Sequence, residues 1–179
     1  MGSIVKIPTS TEPWEMTQVH PATVQNNDAA YWDKRATDHD DPADIVGWAS
    51  HPFLKHESFV YQLLNGLVLP GSRVLDVGCG FGRFAPHVHE LRAEWVGLDF
   101  SQKMHELWQE EIGVGKFVLG NARTPPKDLG QFQTVLFCGS DGSIGLPKEA
   151  LKELYTPFVK RPGHIVFVGP YTTIINNLF

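Results

Sequence analysis

The sequence predicts a doubly wound, mainly parallel α/β sheet of about five strands with flanking helices, and three observations carry that expectation. Beyond Pro70, short apolar runs alternate with polar segments of helical length, the pattern of strands joined by crossover helices. Several runs, such as residues 135–138 and 165–168, are continuously apolar, as strands buried on both faces must be. A glycine-dense turn, Gly78-Cys79-Gly80-Phe81-Gly82, separates the first such run from the helical segment after it.

Taken in order, residues 1–27 carry scattered Pro, Thr, Ser and Asn without a period, and read as an irregular arm with Trp14 as a candidate docking anchor. Residues 28–35 suit one or two helical turns, which the charged, Pro-broken segment 38–42 ends. Residues 45–65 read as a helix, with Phe53, Leu54, Phe59, Val60, Leu63 and Leu64 forming an apolar stripe and Gly66 and Pro70 bracketing its exit. Strands are expected at 73–77, 94–99, 115–119, 134–138 and 164–168. Helices are expected at 83–91, 102–111 and 148–160. No internal repeat or low-complexity tract competes.

Composition narrows the function. A chain of 179 residues buries one core, which assigns residues 28–179 to a single domain behind the arm. The net charge of -5 and pI near 5.9 argue against a sequence-independent grip on nucleic acid, which needs clustered Lys and Arg. A small or neutral substrate fits better. No apolar stretch approaches the ~20 residues of a membrane helix, so no membrane partner is expected. The N-terminus lacks a sustained apolar segment and reads as a leader rather than a secretory signal. Cys79 and Cys138 imply no disulfide framework, which points to a reducing, cytoplasmic setting. The eight histidines lack metal-ligand spacing, and no metal site is expected.

The chemistry concentrates between Val74 and Asp99. Asp76 stands near the end of a buried strand, and Gly78, Gly80 and Gly82 follow just before a helix, where a backbone without side chains can approach a ligand. A dinucleotide fingerprint needs its third glycine at the position held here by Arg83; its shift to Gly82, with Asp76 ahead of the turn, disfavours a nicotinamide cofactor. A second strand, Trp95-Val96-Gly97-Leu98-Asp99, ends in an acid, and a carboxylate there can accept from both hydroxyls of a ribose.

This joint spacing resembles motif I and the following acid of the class I S-adenosylmethionine-dependent methyltransferases, over about residues 31–170. The resemblance implies a Rossmann-like fold, S-adenosyl-L-methionine as cofactor, and Asp76, Gly78, Cys79, Gly80 and Gly82 as its cradle. It implies Asp99 on the ribose and Phe100 and Met104 bordering adenine, although Met104 and Trp108 at helical spacing are as readily core packing. Asn121 and Ala122 follow the third strand where family members commonly carry an Asp and a small residue; Asn121 lacks that charge. Cys138 ends the fourth strand, which in this topology lies beside the first, and is expected to line the pocket; the Tyr31-Trp32 pair resembles an aromatic pair of small-molecule methyltransferases, which implies that Tyr31 helps close the methionine end. Neither cysteine is expected to be a nucleophile, and Asp141 is at best a remote candidate base.

The implied activity is methyl transfer to a small-molecule acceptor by in-line displacement, where alignment of donor and acceptor carries the catalysis and no catalytic residue is named. The alternative is a catalytically silent S-adenosylmethionine-binding scaffold or partner subunit. The family sheet closes with an antiparallel pair after the fifth strand, for which the residues beyond Val168 do not suffice. Residues 171–179 suffice for one short extra strand or a docking turn; either this tail covers the fifth-strand edge or another chain does, and the expectation is an exposed edge and a homodimer or partner chain there.

Overall fold

The computed structural model describes residues 28–47, 50–169 and 173–177. The expected arm, 1–27, with Trp14, lies outside them.

Six strands form one sheet: β1 (Arg73–Val77), β2 (Glu94–Asp99), β3 (Lys116–Leu119), β4 (Phe132–Cys138), β5 (Val159–Val168) and β6 (Thr173–Asn177), in the order β3-β2-β1-β4-β5-β6. The first five are parallel, and β6 runs antiparallel to β5. Strand order therefore reverses between β1 and β4, and the crevice at their carboxyl ends is where open sheets of this kind take ligands.

Each strand side chain points to the face opposite its neighbour's, and both faces are covered. Leu75, Val77, Leu98, Val135, Phe137 and Phe167 pack on one side with Leu151 and Tyr155 of α7 (Lys148–Tyr155). Val74, Trp95, Leu136 and Val166 pack on the other with Leu64 of α3 (Ser50–Leu67) and with Ala85 and Val88 of α4 (Ala85–Glu90). Continuous burial of β1, β2 and β4 explains why these strands read as apolar runs.

Several boundaries differ from expectation. The first helix, α1 (Ala29–Asp38), is longer than one or two turns, with the Asp28 side chain accepting from the Ala30 amide at its start. The expected helix 45–65 begins later, as α3, and a separate short helix, α2 (Pro42–Ile45), precedes it. Asp41 caps α2, Pro42 starts it, and Gly47 takes a left-handed φ of 79° just after it, so no single helix runs through. Further on, α5 (Gln102–Leu107) widens into a π-helical turn over Trp108–Ile112 that Gly113 ends at φ 62°. The helix expected over 148–160 stops at Tyr155, a 3-10 turn over Thr156–Phe158 follows, and β5 begins at Val159. Residues 141–144 form a short helix, α6 (Asp141–Ile144).

The largest correction concerns the fifth strand. Its outer edge is paired from Gly163↔Asn177 to Phe167↔Thr173, so the chain's own β6 covers it, with Ile174 and Ile175 turned to the two faces of the sheet. An edge already paired offers no ladder to a second chain, which removes the reason for expecting association there. Among the described residues, no helix is long and apolar enough to cross a membrane.

Candidate functional site

At the carboxyl ends of β2, β1 and β4 lies a cavity of about 770 Å³, counting its open mouth. The glycine-rich turn forms its floor. Gly78 and Cys79 both donate their amides to the Leu98 carbonyl, at 2.7 and 3.3 Å, which fastens the turn to the end of β2.

Asp99 is 8% exposed, and its two oxygens are used differently from those of a surface acid. Oδ2 accepts from the Gly80 amide at 2.9 Å, and Oδ1 accepts from the Ser101 amide at 3.0 Å. Burial pushes its pKa up, and these backbone donors pull it back. A carboxylate can accept about four hydrogen bonds, so acceptor capacity remains for a ligand hydroxyl.

Asp76 is more deeply buried, at 1% exposure, with a long contact from Trp95 Nε1 at 3.4 Å. Burial raises its pKa to about 7, against the smaller opposing effects of the indole and of Arg83. Beside it, the Arg83 guanidinium lies 4.6 Å over the Phe84 ring and 3.8 Å from Cys138 Sγ. The thiols are poor nucleophiles: burial pushes Cys138 up to about 12 and Cys79 well above its usual range. His56, whose Nε2 lies 3.8 Å from Cys138 Sγ, is pushed down to about 4 by burial and then by Arg83, so it is a neutral imidazole behind the wall.

The three glycines have different roles. A side chain at Gly78 would stand 2.5 Å from Ser140 Cβ, and one at Gly82 would stand 2.7 Å from Trp108 Cδ1; both glycines serve packing between elements. At Gly80, with φ +55°, the nearest atoms to an added Cβ are Met104 Sδ at 3.9 Å and Val46 Cγ1 at 4.0 Å. Gly80 therefore keeps the cavity itself open.

Asp76, Gly78, Cys79, Gly80, Asp99, Phe100, Met104, Ala122 and Cys138 all line this cavity. Three residues singled out from the sequence do not. Tyr31 packs edge-on against Trp32, with ring centroids 5.1 Å apart, and it is Trp32 that lines the cavity. Gly82 is taken up by the tryptophan contact. Asn121 is exposed and its Oδ1 accepts from the Arg123 amide at 2.8 Å, closing a turn beside Ala122. Conversely, Trp32, Val46, Arg83, Ser140, Ser143 and Ile144 line it without having been singled out. The Tyr31-Trp32 pair was a visible signal, but only the docking of α1 decides which ring turns inward. Ser140 is held by its hydroxyl, which donates to the Val77 carbonyl at 2.5 Å and joins the loop after β4 to β1.

Known proteins offer a consistent comparison. The methyltransferase domain family matches residues 74–159, which run from β1 to the start of β5. A demethylmenaquinone methyltransferase of Renibacterium salmoninarum is 29% identical over 114 residues, 59% of this chain and 47% of its own. A malonyl-[acyl-carrier protein] O-methyltransferase of Salmonella typhimurium is 29% identical over 135 residues, 69% of this chain and 51% of its own. The chain thus spans about half the length of the curated relatives it matches. Among solved structures, magnesium protoporphyrin IX methyltransferase of Synechocystis, with bound S-adenosylhomocysteine, superposes with a TM-score of 0.56 at 19% identity, covering 79% of this chain and 67% of that one. A methyltransferase of Thiobacillus denitrificans, in complex with the same molecule, gives 0.53 at 21% identity over 63% of this chain and 47% of its own. At these identities the structural likeness establishes the fold.

Proposed function

We propose that the chain is a class I S-adenosylmethionine-dependent methyltransferase, which binds S-adenosyl-L-methionine in this cavity and transfers its methyl group to a small-molecule acceptor; the methyltransferase-domain match over residues 74–159 and the cavity at the strand ends support that reading. The observation that carries the reading is the Gly80–Asp99 pair. A buried carboxylate held by backbone donors still has acceptor capacity, and it faces an opening that only a glycine leaves unfilled. That combination suits a ribose diol approaching close to the backbone.

The rest of the wall fits the same cofactor. Leu98, Phe100, Met104 and Ala122 offer an apolar slot for adenine on the β2 side. Arg83 offers a positive charge, and the buried Asp76 carboxyl near the end of β1 a hydrogen-bonding partner, for the amino-acid end of the cofactor. When bound, the sulfonium supplies an intrinsically electrophilic methyl group. The protein's contribution is then to align an acceptor against it and to exclude water, and such alignment is worth about 7–11 kcal/mol without a dedicated base. Trp32, Val46, Ser143 and Ile144 are the wall residues left to shape the acceptor's approach.

Calorimetric titration with S-adenosylmethionine and S-adenosylhomocysteine, followed by a radiolabelled methyl-transfer assay over carboxylate, amine, thiol and phenol acceptors, tests this. Binding with transfer to one acceptor class is expected. Binding without transfer to any acceptor would favour the scaffold alternative, and no binding would overturn the cofactor reading altogether.

A further inference from the structure

The helix that carries Trp32 is attached to the cavity through the very next residue. Asp33 Oδ1 accepts from the Ser101 hydroxyl at 2.6 Å and from the Lys103 amide at 3.1 Å, across nearly seventy residues of chain. Ser101 is fully buried and acts in three directions. Its hydroxyl proton goes to Asp33, its oxygen accepts from the Met104 amide at 3.1 Å, and its own amide donates to Asp99 Oδ1 at 3.0 Å. One serine therefore joins Asp33 to both Asp99 and Met104, which line the cavity.

Apolar packing holds α1 as well. Its apolar contact with α5 is a small cluster in which Ala36, Ile45 and Met104 are buried and Trp32 packs partly against them. On its other side, Arg35 Nε donates to the Ile45 carbonyl at 3.2 Å, and Arg35 also donates to the Asp44 carbonyl; these bonds tie α1 to α2 and so to Val46, a second wall residue. Helices α1 and α2 are thus joined into one flap, and Asp33 supplies a polar attachment of that flap to the body of the site.

We propose that Asp33 is a positioning residue for the cofactor site: through Ser101 it ties the Trp32 wall to Asp99, so that seating the wall and orienting the ribose acid are one event. This rests on the cofactor reading given above. A ligand that fixes Asp99 then stabilises the flap, and a seated flap raises affinity for the ligand by the same factor, as thermodynamic linkage requires. The role needs an oxygen acceptor at position 33 rather than a charge, because both of its donors are satisfied by Oδ1.

The test combines calorimetric titration of S-adenosylhomocysteine with hydrogen–deuterium exchange over residues 29–45, on the intact chain and on Asp33→Ala, Asp33→Asn and Ser101→Ala. Asp33→Ala should weaken binding about tenfold, and Asp33→Asn, which keeps the acceptor oxygen, by no more than about twofold. Adding Asp33→Ala to Ser101→Ala should cost little further affinity, since both cut one link. In the intact chain the ligand should slow exchange across residues 29–45; in Asp33→Ala that protection should vanish while residues 73–82 and 94–99 remain protected, which a merely structural role would not produce. If Asp33→Ala does not fold, Ser101→Ala is read in its place with the same expectations. Unchanged affinity, or protection of the flap retained in the alanine variant, overturns the clamp. If the intact chain binds no S-adenosylhomocysteine, the cofactor reading falls and takes the clamp with it; if the intact chain binds and the alanine variant binds equally, the clamp alone falls.

Discussion

Asp76 and Asp99 stand toward the carboxyl ends of adjacent parallel strands and are both nearly inaccessible, yet the protein treats them in opposite ways. Asp99 receives backbone amides from the glycine-rich turn and from the start of the next helix, and so is a prepared acceptor. Asp76 has only a distant indole N–H, and its proton affinity rises to about 7. Burial alone therefore does not make an acceptor site. What distinguishes the two acids is whether local backbone geometry supplies donors that offset desolvation.

The most damaging way to break this arrangement is at the turn. In Gly80→Val, a branched side chain would enter the cavity and resist the positive φ, while the amide that holds Asp99 would be displaced. Binding of S-adenosylhomocysteine should be lost, by more than about a hundredfold in calorimetry. A folded variant, verified by thermal melting, that binds normally would remove the turn from the site.

Asp76→Asn probes the other acid through stability. A carboxyl whose pKa is raised on folding keeps a proton that the unfolded chain releases, so stability is greatest below the unfolded value of about 4 and falls as pH rises towards 7. The amide cannot ionise and escapes that loss. The variant should be more stable than the wild type at pH 8, by up to roughly 4 kcal/mol, and the difference should shrink towards zero near pH 4. Chemical denaturation at several pH values measures this, and a difference independent of pH would show that Asp76 is ionised in the fold throughout.

Asp99→Ala should leave the fold standing and weaken cofactor binding by about 1.5–3 kcal/mol, because a charged hydrogen-bonding partner is lost while the cavity remains. Equal affinity in the folded variant would assign the ribose elsewhere. The smallest effect is expected for Asn121→Ala, whose side chain closes an exposed turn outside the cavity: affinity should stay within about twofold, with a loss of about 0.5–1.5 kcal/mol in stability at most. A larger loss of affinity in titration would bring Asn121 into the adenine contact that its position in the sequence suggests.

The same contrast separates what was legible in the chain from what was not. The cores of β1, β2, β4 and β5 were legible to within a few residues, because burial on both faces leaves an apolar run that needs no knowledge of neighbours; β3, at the exposed edge, was legible only from its short apolar run. The glycine-rich turn and the acid after it were legible for a related reason: backbone freedom and a strand-end carboxylate are properties of a short stretch. Boundaries were less so. The break between α2 and α3 depended on Gly47 adopting a left-handed conformation, and the π-helical widening after Leu107 accompanies the docking of Trp108 beside Trp95 and Phe117.

By itself, then, the sequence determined the parallel α/β architecture, the turn that bears Gly80, and the acid that faces it, because each is encoded by residue type and spacing within a single strand–turn–helix unit. The tertiary structure alone decided the remainder. It chose Trp32 over Tyr31 for the cavity wall, turned Gly78 and Gly82 into packing positions, brought Asp33 onto Ser101, and laid β6 along the edge that looked open. Each of these is a contact between segments distant along the chain, whose free energy depends on how two surfaces meet, and no local period or propensity records that.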